Sequence, residues 1–141
     1  MTKLSKDFDS DEFLCPCGQC EAKRISPTLI SKLQMLRDLV GEPIRITSGF
    51  RCEAYNKHIG GATNSPHLTG GGADLQVNGM TPLTLAILAN RIKYIRIGIY
   101  PTHLHIDVKP AKPSKYWLVK HDKYIYSGKE KDLNKFLKKN L

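Results

Sequence analysis

The sequence has no apolar run that could cross a membrane. Its longest, Leu83 to Leu88, is broken by Thr84, against the about 18 residues that a spanning helix needs. The first twenty residues (MTKLSKDFDSDEFLCPCGQC) lack the apolar stretch of a secretory signal, so synthesis in the cytoplasm is expected. If the protein acts outside the cell, something else must release it. There is no internal repeat and no low-complexity segment, which excludes solenoids and long disordered linkers. Acidic residues are scarce, with 13 Asp and Glu against 22 Lys and Arg, a net charge of +9.

What is present is ordinary globular material. The chain has 141 residues, 40% hydrophobic and 25% charged, enough for one core and too few for two. A single domain over 1–141 is expected, with an N-terminal arm at 1–14 and a basic C-terminal helix in 129–141. Residues 109–141 carry ten Lys against Asp122, Glu130 and Asp132, which is +7 of the total +9. A basic end of this kind suggests an anionic partner without naming it.

The organisation can be read from punctuation and periodicity. The arm should anchor through Phe13 and Leu14, and Cys15 to Cys20 form a turn-rich knot. Ser26-Pro27 is a helix start, with Leu29, Ile30, Leu33, Leu36, Leu39 and Val40 at helical spacing and Gly41 as the stop. Ile44 and Ile46 flank Arg45 in a short strand. Residues 56–73 are rich in glycine and are expected to be loop. A strand at Leu75 to Val77 and a helix from Thr81-Pro82 to Asn90 follow. Ile95, Ile97 and Ile99 alternate on one strand, and Leu104, Ile106 and Val108 on the next. Residues 116–119 and 124–126 suit a hairpin, and a Lys-rich helix spans about 129–139. The pattern is α+β, with a small, mostly antiparallel sheet flanked by helices.

The chemistry concentrates near three histidines. With a period of two, Leu104, Ile106 and Val108 face one side, while His103, His105 and Asp107 face the other. Two imidazoles and a carboxylate are therefore presented together on a rigid strand. Upstream, His67 and Asp74 bracket Leu68-Thr69-Gly70-Gly71-Gly72-Ala73, where glycines allow close approach of the backbone. A His/Asp/His set with one open position suits catalytic Zn²⁺, which takes N and O ligands tetrahedrally. The Gly70-Gly71-Gly72 run is not a phosphate loop: it lacks the GK[ST] ending and leads into no helix.

These residues also carry a resemblance. Ser65-Pro66-His67-Leu68-Thr69-Gly70-Gly71-Gly72-Ala73-Asp74 is similar to the SxHxxGxAxD signature of the zinc D-Ala-D-Ala carboxypeptidase family. That family shares a superfamily with lysostaphin-type endopeptidases and the hedgehog domain. Ile46-Thr47-Ser48-Gly49-Phe50-Arg51-Cys52, Tyr55-Asn56 and Gly60-Gly61-Ala62 resemble its entry segment. Ile97-Gly98-Ile99-Tyr100-Pro101 and His103-Leu104-His105-Ile106-Asp107 resemble its closing strand pair. The likeness runs from about Phe13 to Trp117, and Gly72 stands where the signature usually has Ala.

The resemblance implies a hedgehog/DD-peptidase-like site with one catalytic Zn²⁺ held by His67, Asp74 and His105. It implies a peptidase that hydrolyses peptidoglycan stem peptides through metal-activated water, as a D-Ala-D-Ala carboxypeptidase or a phage-lysin-type endopeptidase released to the wall by a separate protein. Arg51 would bind the substrate carboxylate or stabilise the developing oxyanion, a task suited to its planar donor fork. Ser65 would hydrogen-bond the substrate carboxylate, or else simply form a turn before Pro66. Related peptidases often carry a Glu a few residues before the last His ligand, and no Glu lies between Asp74 and Asp107. His103 is the candidate acid/base, with Asp107 as a support that fixes the tautomer of a ligand imidazole.

Cys15, Cys17, Cys20 and Cys52 permit three disulfide pairings or one four-cysteine metal site. The C-x-C-x₂-C spacing is not that of paired zinc knuckles, and without an export signal the expected state is reduced, structural thiols. Two other functions compete with the peptidase. A non-catalytic zinc-containing wall- or protein-binding module would explain the missing Glu, and Arg51 and Ser65 speak against it. Nucleic-acid binding rests on the tail charge alone and is disfavoured, because Tyr116, Trp117, Tyr124 and Tyr126 fit a hairpin packed on the core better than a stacking face. A monomer is favoured. The tail is expected to be an auxiliary wall-binding surface whose removal spares hydrolysis of a small peptide.

Overall fold

A computed structural model describes residues 2–20, 24–110, 115–128 and 132–141. Four helices, α1 (Pro27–Val40), α2 (Glu53–His58), α3 (Pro82–Ala89) and α4 (Leu133–Asn140), accompany six strands. The strands are β1 (Arg45–Ser48), β2 (Gly72–Gln76), β3 (Arg96–Ile99), β4 (Leu104–Asp107), β5 (Tyr116–Lys120) and β6 (Lys123–Ser127). They form one sheet in the order β1-β2-β4-β3-β5-β6, antiparallel except for the parallel pair β3 and β5. The fold is α+β.

Each helix starts where a side chain can satisfy an orphan amide. Ser26, Thr81 and Asp132 accept from Leu29, Thr84 and Asn134, and Pro27 and Pro82 occupy first positions that need no donor. Caps of this kind contribute about 1 kcal/mol each. Gly41 ends α1 in the left-handed conformation, with φ of 75°. β5 and β6 are joined by His121 and Asp122, both at positive φ, which matches the twist of a two-residue hairpin.

The sheet has two chemically different faces. Ala73, Leu75, Ile97, Ile99, Leu104, Ile106, Tyr116 and Leu118 are buried on one face. They join a single core with Leu29, Leu33 and Leu36 of α1, Leu85 and Ala86 of α3, and Leu133, Phe136 and Leu137 of α4. The alternate residues on the opposite face build the site.

Several expectations need correction. Residues 56–73 are not all loop: α2 runs to His58, Pro66–Thr69 form a 3-10 turn, and β2 already begins at Gly72. The sulfur of Cys52 caps α2 by accepting from the Tyr55 amide, and the Ser65 hydroxyl oxygen caps the 3-10 turn. The arm is held by Phe8 and Phe13, both buried, whereas Leu14 is exposed. The closing helix begins at Leu133 behind its Asp132 cap, and residues 129–131 lie outside the described residues. Because Leu133, Phe136 and Leu137 are buried in the common core, α4 is part of the fold, not an auxiliary appendage. Of the four hairpin aromatics, only Tyr116 lies in that core; Tyr124 and Tyr126 are more than half exposed. No described helix is long and apolar enough to cross a membrane.

Candidate metal centre

Strand register lines up one row of residues across all six strands. Ser48 pairs with Asp74, Asp74 with His105, His105 with Gly98, Gly98 with Trp117, and Trp117 with Tyr126. A neighbouring row joins Gly72, Asp107 and Arg96. His67 enters from the 3-10 turn and Arg51 from the segment between β1 and α2. The glycine-rich connection thus does what its composition suggested, carrying His67 back over the strand that holds Asp74.

At the centre, His67 Nε2 lies 3.2 Å from Asp74 Oδ1, and His105 Nδ1 lies 2.8 Å from the same oxygen. The remaining ring nitrogens decide the tautomers. His67 Nδ1 is 2.7 Å from the Gly49 carbonyl oxygen, which can only accept, so Nδ1 carries the proton. His105 Nε2 lies 2.7 Å from Asp107 Oδ2, which can accept its proton. With both histidines neutral and His105 protonated at Nε2, three lone pairs converge with no hydrogen between them. Two remedies exist: protonation of the imidazoles, or a cation shared by all three atoms. The second fits the dimensions. Ligands about 2.0–2.1 Å from a tetrahedral metal lie about 3.3 Å apart; the 3.2 Å between His67 and Asp74 matches this, and the 2.8 Å between His105 and Asp74 is shorter. His67, Asp74 and His105 together form a group able to hold a metal ion, their ligand atoms all within 4.8 Å of one another.

The surroundings keep the two carboxylates ionised, as a metal site requires. Burial pushes the Asp74 carboxyl up, but hydrogen bonds and charge from His105 and His67 outweigh it and hold the group well below the usual carboxylate range. Burial lowers His105, yet its bonds to Asp107 and Asp74 raise it overall. Asp107 has no exposure; burial raises its carboxyl, and the bonds from His105 and Arg96 more than reverse this. Arg96 grips both Asp107 oxygens, from Nε at 2.8 Å and from an Nη at 2.9 Å, and the Lys109 amide adds a third donor. Asp107 thus stands behind His105 as a positioning residue, and it does not line the cavity in front.

That cavity has a volume of about 650 Å³, within the range of small-ligand sites. Arg51 lines it, donating to Asp74 Oδ2 at 3.3 Å, Ser48 Oγ at 3.0 Å and Asn56 Oδ1 at 3.3 Å. Ser65 also lines it, with its oxygen engaged by the His67 amide. His103 stacks on Tyr100 with ring centroids 4.5 Å apart and turns Nε2 to within 3.8 Å of Asp74 Oδ2. Burial lowers its pKa despite the pull of Asp74. All the expected site residues therefore meet in one place, with Asp107 set behind the others.

Arg96, Asn56, Tyr100 and Trp117 were not among the expected site residues. Trp117 donates from Nε1 to the Tyr100 hydroxyl at 3.0 Å, its ring 5.3 Å from that of His105. Arg96 and Gly98 alternate with Ile95, Ile97 and Ile99, so the same periodicity that marked the buried face also marked them for the opposite one.

The geometry agrees with the comparisons. A zinc D-Ala-D-Ala carboxypeptidase from Streptomyces albus G is 37% identical over 89 residues, which are 61% of this chain and 35% of that protein. The chain thus spans about a third of that relative's length. The family model described as Peptidase M15 matches residues 6–109, a stretch that contains His67, Asp74 and His105. The chain belongs to the peptidase M15 family.

Proposed function

We propose that the chain is a zinc-dependent peptidase that hydrolyses peptidoglycan stem peptides, by removing a terminal D-Ala or cutting a stem or cross-link bond. The observation that carries this reading is the convergence of His67 Nε2, Asp74 Oδ1 and His105 Nδ1 beside a cavity lined by a guanidinium and an imidazole. Zn²⁺ bound there would supply Lewis acidity and lower the pKa of water toward neutrality. Gly49 and Asp107 hold the two ligand imidazoles in the tautomers that leave a lone pair for the metal.

Arg51 offers planar donors to a substrate carboxylate or to the oxygen of the scissile carbonyl as negative charge develops there. Its contact with Asp74 is at 3.3 Å, and the Ser48 and Asn56 bonds fix its direction. His103 Nε2 takes the proton of the attacking water and returns it to the amine as the C–N bond breaks. Its lowered pKa favours the neutral, proton-accepting form, and this supports the assignment in a chain that has no Glu between Asp74 and Asp107. Tyr100, Trp117, Tyr124 and Tyr126 give the cavity an aromatic wall against which a short peptide can lie. The relative's name, a zinc D-Ala-D-Ala carboxypeptidase, supports the substrate class. Synthesis in the cytoplasm and release to the wall by a separate protein belong to the same proposal.

The test is digestion of purified peptidoglycan with zinc-loaded protein, with released fragments identified by mass spectrometry. Free D-Ala would assign a carboxypeptidase, and shortened or separated stems an endopeptidase. No product from protein shown to contain zinc would overturn the reading in favour of a binding module.

A further inference from the structure

Among the described residues, the sheet row and its cavity leave one cluster of metal-ligating side chains unused. Cys15, Cys17 and Cys20 lie on the turn after the 3-10 helix Ser10–Phe13, and Cys52 immediately precedes α2. The four sulfurs all lie within 4.8 Å of one another. Cys15 Sγ is 3.7 Å from Cys52 Sγ, and Cys52 Sγ is 3.8 Å from Cys17 Sγ. All four cysteines are half-buried, and none is in a disulfide.

Those spacings discriminate between the possible states. Bonded sulfurs lie about 2.0 Å apart, so neither pair is a disulfide. Thiolates about 2.3 Å from a tetrahedral metal have sulfurs about 3.8 Å apart, the edge of that tetrahedron. Both sulfur–sulfur separations match the edge. Three thiols on one turn and a fourth from a distant segment have no reason to collect at that spacing for packing alone, since sulfur–sulfur contacts are weak.

Backbone amides point at three of these sulfurs. Cys17 Sγ accepts from Gln19 at 3.4 Å and Cys20 at 3.3 Å, Cys15 Sγ accepts from Cys52 at 3.3 Å, and Cys52 Sγ accepts from Tyr55 at 3.5 Å. Such donors favour thiolate over thiol, and neighbouring thiolates require a cation. The donor set is all sulfur, which selects a soft or borderline ion in tetrahedral geometry.

We propose that Cys15, Cys17, Cys20 and Cys52 bind a second Zn²⁺, distinct from the His67/Asp74/His105 centre and structural in role. Four protein ligands leave no open position for water or substrate. The ion ties the N-terminal arm to the segment between β1 and α2, and that segment serves the first centre. Gly49 supplies the carbonyl that orients His67, and Arg51 adjoins Cys52. The arm already lies against this segment: Phe50 donates its amide to the Phe13 carbonyl at 3.0 Å, and a Cβ on Gly49 would fall 2.6 Å from Phe13 Cα. The second ion thus clamps the support of His67 and Arg51 from behind.

The experiment counts metal in the full chain purified under reducing conditions. Native mass spectrometry and elemental analysis should give two zinc ions per chain, and His105→Ala should retain one. Replacement of zinc by cobalt(II) should produce strong near-ultraviolet thiolate-to-cobalt charge transfer. That band should persist in His105→Ala and vanish in Cys15→Ser and Cys52→Ser. Should the serine variants fail to fold, the cobalt spectra of the unaltered chain and of His105→Ala decide the matter. A single ion removed by His105→Ala, cobalt loading without charge transfer, iron in place of zinc, or an intact mass showing disulfides in the reduced preparation would each overturn the proposal.

Discussion

Gly98 on β3 and Trp117 on β5 are register partners, and the indole occupies the space that a side chain at position 98 would need. A Cβ there would lie 2.7 Å from the indole Nε1, closer than real contacts allow. The glycine is therefore what lets Trp117 lie along the sheet beside His105 and reach the Tyr100 hydroxyl. Gly98→Ala should displace the ring at a cost of about 1–3 kcal/mol, the usual range for overpacking. Trp117 is the only tryptophan in the chain, so its fluorescence reads this site alone. The variant should show an altered emission maximum together with a lowered melting temperature. Unchanged emission would mean that the indole is not held against Gly98 in solution.

The contact between Asp107 and His105 carries a second expectation. Asp107 is fully buried, held by Arg96, and accepts from the ligand nitrogen's opposite partner, His105 Nε2. Asp107→Asn keeps the shape but replaces a charged acceptor with an amide, and leaves Arg96 without its anion. Loss of such a supporting carboxylate typically weakens metal binding by about 10- to 100-fold. Competition against a chelator of known affinity should show that loss at the His67/Asp74/His105 centre, while any ion held by the cysteines stays bound. Equal weakening of both ions would indicate a general collapse instead.

These relationships explain what the sequence could and could not show. Alternation made Leu104 and Ile106 legible as core and His105 and Asp107 as site, because a strand beside a core has only two faces. Helix starts at Ser26-Pro27 and Thr81-Pro82 were legible because their caps are local. The start of α2 was not, because its cap is a sulfur, outside the usual set of capping side chains. Arg96 and Asp107 are 11 residues apart and meet only through the register of β3 and β4. Trp117 and Tyr126 look like core by composition, yet register places them in the same row as His105. Proximity of Cys52 to Cys15 across 37 positions depends on the whole fold.

His103 separates binding from chemistry. It faces the cavity but is absent from the ligand group, so His103→Ala should leave the zinc content unchanged. If it moves the proton, kcat on a stem-peptide substrate should fall by about 10²- to 10⁴-fold, the usual span for a general acid or base. His103→Gln keeps a polar group near Tyr100 but cannot relay a proton, and it should be similarly impaired. Full activity in either variant would return the acid/base role to another group, and loss of zinc would make His103 a ligand.

The basic tail needs a different test from simple truncation. Leu133, Phe136 and Leu137 fill the core, with the Phe136 ring stacked 6.2 Å from Tyr116, whereas Lys135, Lys138 and Lys139 are exposed on the other side of α4. Removing residues 129–141 would take three large apolar side chains from the core, each worth about 2–5 kcal/mol, more than a marginally stable domain can lose. Hydrolysis and wall binding should therefore disappear together. Replacing Lys135, Lys138 and Lys139 with Gln instead leaves the buried face intact. That triple variant should keep its melting temperature and its rate on a small soluble peptide, while its association with isolated cell walls weakens most at low salt, where surface charge acts over the longest range. Unaltered wall binding across the salt series would mean that these lysines do not contact the wall.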